Sequence, residues 1–240
     1  MLTGYFSYLY RDTTEKYRNR LLASIPKVPK GRLLDLGCWD GKNSLMYGKA
    51  AGTKEVYGLE LVKSLVEKAR KNGVKAQCCD LNNKFPFKNE MFDIVVANHV
   101  IEHLVNVKGF MSEIRRVLKP GGCALIGTPN LASWHNVAAL FLGRQPYSGP
   151  TIMPKSEGKG ISSSISKKRI KDIFTENYGE NMEHIKVMAA KELVLLSRRT
   201  GFSSVKVYGF GYYPLPPFLA GMMASFDCSH SHYVVAKVMK

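Results

Sequence analysis

Asp35 stands two residues before Gly37 in the run Leu33-Leu34-Asp35-Leu36-Gly37-Cys38-Trp39-Asp40-Gly41-Lys42-Asn43-Ser44. Gly37 and Gly41 permit a sharp reversal with close backbone approach, and such a turn offers free backbone N–H groups at the positive end of the helix that follows. A phosphate at that turn would be repelled by the Asp35 carboxylate, whereas a cationic ligand would be attracted, so the charge sign favours a cation. Glu60 closes the run Val56-Tyr57-Gly58-Leu59-Glu60, where a doubly wound sheet places a carboxylate to accept hydrogen bonds from ribose hydroxyls. His99, Glu102 and His103 follow another apolar run. Continued as a helix, that stretch puts His99 and His103 four apart on one face with Glu102 pointing elsewhere, and a neutral imidazole there is suited to act as base toward a hydroxyl.

These groups need a frame. Apolar residues flanking Asp35 fit a central parallel strand, and Asn43-Ser44 can start the next helix. Val56 to Glu60 reads as a second strand, Val74 to Cys79 as a short third and Met91 to Asn98 as a fourth. Arg115 to Gly122 closes a helix with Pro-Gly-Gly and enters a fifth strand ending Gly127-Thr128-Pro129-Asn130. A helix near Lys191 to Thr200, a strand near Ser204 to Phe210 and a terminal strand His232 to Val238 complete the pattern.

The order and spacing of these landmarks over about residues 31 to 130 resemble the class I S-adenosylmethionine (SAM) methyltransferases. The first motif of that family is usually Asp-x-Gly-x-Gly-x-Gly, and Trp39 stands here where the middle glycine is most common; a positive φ at Trp39 would strain it. The resemblance implies a Rossmann-like α/β fold, a mostly parallel seven-stranded sheet with helices on both faces and an N-terminal helix over one edge. It implies SAM as cofactor and S-adenosylhomocysteine as product. It implies cofactor contacts from Asp35, Gly37, Cys38, Trp39, Gly41, Glu60, Leu61, Asp80, Leu81 and Asn98, with Asp80 accepting from the adenine amino group, and an active-site edge at His99 to Leu104.

Each landmark has a plain structural alternative. Gly-x-x-x-Gly also serves tight packing of helix on sheet, an acid ending a strand is commonly a solvated carboxylate, Asp80-Leu81-Asn82-Asn83 is good turn chemistry, and His103 can anchor a helix or the cofactor rim. Their joint occurrence in one order favours the functional reading. A nicotinamide enzyme would also use Glu60, but Asp35 and the missing Gly-x-Gly-x-x-Gly weigh against it.

A chain of 240 residues, 45% hydrophobic, can bury one substantial core, and we read residues 1 to 240 as a single domain. The sequence contains no long apolar run, and Met1 to Arg11 lacks a basic lead and a sustained apolar segment. Five cysteines show neither metal spacing nor a paired framework, which favours reduced cytoplasmic thiols, and no carboxylate–histidine cluster has ligand spacing, so no metal is expected. The net charge of +16 invites a polyanionic partner, yet it is spread over Arg11 to Arg32, Lys63 to Lys75 and Lys155 to Lys171, as solvated helices would give. Asn98-His99-Val100-Ile101 departs from the Asn/Asp-Pro-Pro-aromatic motif of enzymes that methylate exocyclic base amines.

Residues 131 to 183 exceed an ordinary connection several-fold and are expected to form a lid or substrate-binding insertion, with Ser133 to Gly143 helical and Gly158 to Ser166 small, polar and mobile. Trp134, His135 and His184 are its candidate acceptor contacts. Thr128-Pro129-Asn130-Leu131-Ala132-Ser133-Trp134 resembles methyltransferases of sugar, lipid-linked or quinone-type substrates. Pro214 to Phe226 is too short to span a bilayer; it can belong to the core, border an apolar acceptor channel or touch a membrane surface. The expected activity is methyl transfer to a small-molecule or lipid-linked acceptor. Two rivals are methylation of RNA and a non-catalytic, basic binding protein on the same fold.

Overall fold

In the computed structural model, residues 2–149 and 184–240 are described. Most of the expected insertion, including Gly158 to Ser166, Lys155 to Lys171 and Glu183, lies outside them. The strands are β1 (Arg32–Leu36), β2 (Glu55–Glu60), β3 (Lys75–Cys78), β4 (Phe92–Asn98), β5 (Leu118–Pro129), β6 (Ser204–Phe210) and β7 (Tyr233–Met239). The helices are α1 (Leu2–Ser24), α2 (Lys42–Ala51), α3 (Lys63–Lys71), α4 (Val107–Val117), α5 (Trp134–Phe141), α6 (Ala190–Arg199) and α7 (Pro217–Phe226).

The strands form one seven-stranded sheet in the order β3-β2-β1-β4-β5-β7-β6. Pairing is parallel from β3 through β5, and β7 runs antiparallel to both β5 and β6, so the sheet is mixed. The central strands carry nearly unbroken apolar runs because both faces are covered. Leu34 and Leu36 pack with Phe110, Met111 and Ile114 of α4 and Leu193 of α6, while Leu33 packs with Tyr17 and Leu21 of α1, Tyr47 and Ala51 of α2, and Val66 of α3. The period of two in β1 therefore turns Asp35 toward the α2 side.

Two expectations need correction. Helix α1 lies on a sheet face, with Tyr17, Leu21 and Ile25 against Ile94, Val96, Leu125 and Val235, instead of over an edge. Its apolar residues recur at helical spacing, so they find a broad surface to cover. Helix α4 ends at Val117, before the Pro-Gly-Gly that was expected to close it. Pro120 disfavours the helical region at Lys119, and Leu118 to Pro129 pairs as strand with Gly121 at φ 74°. Helix α7 is also not core throughout: Ala220 and Ala224 pack inward, while Phe218 and Phe226 are more than three-quarters exposed. No helix among the described residues is long and apolar enough to cross a membrane.

Candidate active site

The turn after β1 is closed by its own backbone. The Gly37 and Cys38 amides both donate to the Leu59 carbonyl, at 2.8 and 3.0 Å, and the Gly41 amide donates to the Cys38 carbonyl at 2.8 Å. Gly37 sits at φ 73° and Gly41 at φ 83°, and a Cβ on either would come within 2.8 Å of a valine methyl. Trp39, at φ 50°, takes up the strain expected of it. The turn is held from below, because the Trp39 amide donates to Oε2 of Glu60 at 3.0 Å. Oε1 of Glu60 accepts from the Leu61 and Val62 amides, at 2.8 and 3.1 Å, tying the start of α3 to the same carboxylate.

Asp35 is buried and accepts from Ser44 Oγ at 2.6 Å. Burial pushes its carboxyl up, the Ser44 bond opposes this and the nearby Glu60 charge reinforces it, to about 7 from an ordinary 3.8. Among the described residues no salt bridge reaches Asp35 or Glu60. Two buried carboxyl groups without a basic partner therefore underlie the turn, a set suited to a ligand with a cationic end. Glu60 uses three of about four lone-pair positions, leaving one for a hydroxyl.

Between α1, α2 and the end of β4 lies a cavity of about 330 Å³. Tyr10, Tyr17 and Arg18 of α1 line one side, Tyr47 of α2 another, and Asn98 and His99 at the end of β4 face them. The Tyr17 hydroxyl donates to Asn98 Oδ1, and burial, with the Glu102 charge, raises the Tyr17 hydroxyl pKa far above its usual range. A more open depression of about 440 Å³ at Val28–Gly31 and Asp93 lies at the other end of the parallel strands, where α/β sheets rarely bind ligands.

His99 has φ 54°, and Ile101–His103 forms a single 3₁₀ turn. That left-handed step breaks the helical period, so Glu102 does not point away from the two histidines as expected. It is fully buried between them: His99 Nδ1 is 3.2 Å from Oε1, His103 Nε2 is 4.0 Å from the same oxygen, and Thr128 Oγ1 donates to Oε2 at 3.0 Å. Burial opposes charge on Glu102, but the His99 hydrogen bond and the potential of His99 and His103 outweigh it and hold the carboxyl below the usual carboxylate range.

The other expected residues divide. Asp80 makes the anticipated turn, its Oδ1 accepting from the Asn82 amide at 2.9 Å and from its side chain, and Leu81 is built into the core. Leu61 is exposed beside Glu60, whereas Cys38 is buried against Gly58. Trp134 stacks on His230 with ring centroids 4.6 Å apart. His135 Nε2 is 3.2 Å from Nδ1 of His232, and burial lowers His135 to about 4 and His232 to about 3. His184 Nδ1 donates to the Ser148 carbonyl at 2.9 Å, and its ring lies 5.1 Å from that of His103. The roof from α1 and the place of His232 did not emerge from the sequence, and Glu102 did so only as a residue pointing away from the histidines. The recurrence of Tyr10, Thr14, Tyr17 and Leu21 along one helical stripe is the signal that could have found the roof.

Comparison with known proteins bears on this geometry. A family model described as "Methyltransferase domain" matches residues 34–126. A ubiquinone/menaquinone biosynthesis C-methyltransferase of Desulfotalea psychrophila is 27% identical over 48% of this chain and 48% of its own. A ubiquinone biosynthesis O-methyltransferase of a Bradyrhizobium species is 29% identical over 56% of this chain and 54% of its own. The chain spans from about a third to just over half the length of the curated relatives it matches. A Thermotoga maritima crystal structure, described as a SAM-dependent methyltransferase and possible histamine N-methyltransferase, aligns with 99% of this chain and 95% of its own, at a TM-score of 0.59 and 19% identity. That likeness is one of fold.

Proposed function

We propose, for a chain that belongs to the class I SAM-dependent methyltransferase family, that it methylates a hydroxyl group on a small-molecule or lipid-linked acceptor. The observation that carries this is the pair of buried carboxyl groups, Asp35 and Glu60, lying without a basic partner under the glycine turn. When bound, SAM supplies a methyl group activated by its sulfonium leaving group.

The chain's own residues have separate tasks. Asp35 supplies the negative charge for the cationic end of the cofactor, and Glu60, held by three backbone amides, offers its remaining lone pair to a ribose hydroxyl. Leu61 and the Asp80-Leu81 turn border the adenine side, with Gly37, Cys38, Trp39 and Gly41 forming the backbone wall between. Asn98, fixed by the Tyr17 hydroxyl, lies at the cavity floor beside His99. An ionised Glu102 can only accept, so His99 carries its proton on Nδ1 and keeps Nε2 free to take the acceptor's hydroxyl proton. His103 supports Glu102 from the other side. The tyrosines of α1 exclude water and align the acceptor, which is most of what an already activated methyl requires. We assign contact with the acceptor to Trp134, His135 and His184.

Support for the acceptor class comes from the quinone-biosynthesis relatives and the apolar outer face of α7. RNA methylation draws support from the charge of +16 alone, and a non-catalytic binding role from that charge and the strained Trp39. Incubation with methyl-labelled SAM and, separately, catechol-type phenols, lipid extract and total RNA tests this. Label is expected in the phenol or lipid fractions; ribonuclease-sensitive label would overturn the acceptor assignment.

A further inference from the structure

We propose that Glu102, His103 and His184 form a binding site for a single divalent transition-metal ion of the zinc type. The carboxylate of Glu102 and one ring nitrogen from each histidine all lie within 4.8 Å of one another. Ligand atoms sharing a first-row ion lie roughly 3 to 3.5 Å apart, so small ring rotations bring the three to bonding distance. Glu102 Oε1 and His103 Nε2 already stand 4.0 Å apart.

The trio is braced from outside, as ligands of a built site are. Glu102 Oε2 is fixed by Thr128 Oγ1, and Oε1, with two lone pairs, faces His99 Nδ1 while retaining one for an ion. His184 donates Nδ1–H to the Ser148 carbonyl, which fixes the tautomer and leaves Nε2 as a lone-pair donor. The Ile185 and Lys186 amides both donate to the Glu102 carbonyl, at 2.8 and 2.9 Å, so the strand of chain carrying His184 is pinned over the carboxylate. Lys186 does not compete, because its ammonium is engaged by the Val105 carbonyl at 2.6 Å. Glu102 is fully buried, and no salt bridge among the described residues joins it to lysine or arginine. A buried carboxylate requires compensating positive charge, and an ion between two imidazoles supplies it.

Two imidazoles and one carboxylate suit zinc and its neighbours and disfavour magnesium or calcium, which take mainly oxygen ligands. Three protein ligands leave a position for water or an oxygen of another ligand. Sequence spacing does not reveal the trio, since His184 joins Glu102 and His103 from the far side of the insertion. The site stands on these residues whether or not the chain transfers methyl groups.

Tag-free full-length protein, dialysed against zinc and assayed for bound metal, is expected to hold about one ion per chain. His103→Ala and His184→Ala are each expected to weaken zinc about 10- to 100-fold with an unchanged far-ultraviolet circular dichroism spectrum, and His230→Ala to leave it unaltered. Cobalt substitution gives a second reading, as visible absorption bands that both variants lose. Failure to retain zinc, or retention unchanged in both variants, would overturn the site, leaving protonated histidines as the compensation for Glu102. Because the readout is metal content and absorption, its failure is distinct from any failure of methyl transfer.

Discussion

Replacing His99 with Asn is expected to lower turnover about 10²- to 10⁴-fold, the range typical of a lost general base, while SAM still binds. Asn is the informative choice because His99 occupies the left-handed region at φ 54°, which Asn tolerates and most side chains do not. The backbone step that places Glu102 between the histidines is then preserved, and an amide can still donate to the buried carboxylate. What Asn lacks is a nitrogen able to take a proton. Single-turnover rates with a labelled hydroxyl acceptor, beside the dissociation constant for SAM, make the check. Undiminished turnover would remove His99 from the chemistry and leave the cavity as a positioning device.

Asp35→Asn is expected to act in opposite directions on affinity and on stability. With its carboxyl pushed up to about 7, the ligand-free protein carries Asp35 uncharged in mild acid and charged only above neutrality. A carboxyl raised on folding contributes its full stability below its ordinary 3.8 and loses it as pH climbs through about 7. That interval corresponds to a cost on the order of 4 kcal/mol at high pH. The asparagine variant escapes this cost, so its ligand-free form should melt at a higher temperature than the parent at pH 8, keep roughly a third of that advantage at pH 5, and lose it below the ordinary 3.8. Its affinity for SAM should fall, because the charge that meets the cationic end is gone. In the parent, SAM should bind about tenfold more weakly for each pH step below 7 and at constant strength above it, with proton release on binding; the variant should lose that slope. Melting curves and titrations across pH 5 to 8 would detect both, and a parent affinity flat across that range would refute the role given to Asp35.

The sequence made the frame legible where local pattern and global burial agree. Strands β1, β2 and β4 are covered on both faces, so Leu33 to Leu36 reads as an apolar run broken only by Asp35, and Val56 to Leu59 and Ile94 to Ala97 as apolar runs ended by Glu60 and Asn98. Glycines at Gly37 and Gly41 announced the turn because only special backbone angles serve there. Glu102 was misread because a helical period was carried through His99, whose positive φ no propensity announces. Leu81 and Asp80 illustrate a different limit: the turn chemistry was visible, yet burial of Leu81 depends on Phe85 and Phe110 arriving from elsewhere. The seat of α1 on the sheet face and the pairing of His135 with His232, 97 residues apart, are likewise set by packing between distant elements.

Calorimetric titration of the purified chain with SAM, S-adenosylhomocysteine and NAD, each at pH 7.5 or so, tests the central claim most directly. It interrogates Asp35, the strained Trp39 turn and Glu60 together and needs no knowledge of the acceptor. Micromolar binding of the two adenosyl ligands, with none of NAD, is the predicted result. Absence of adenosyl binding would contradict the account, making Trp39 a residue that closes the turn to cofactor.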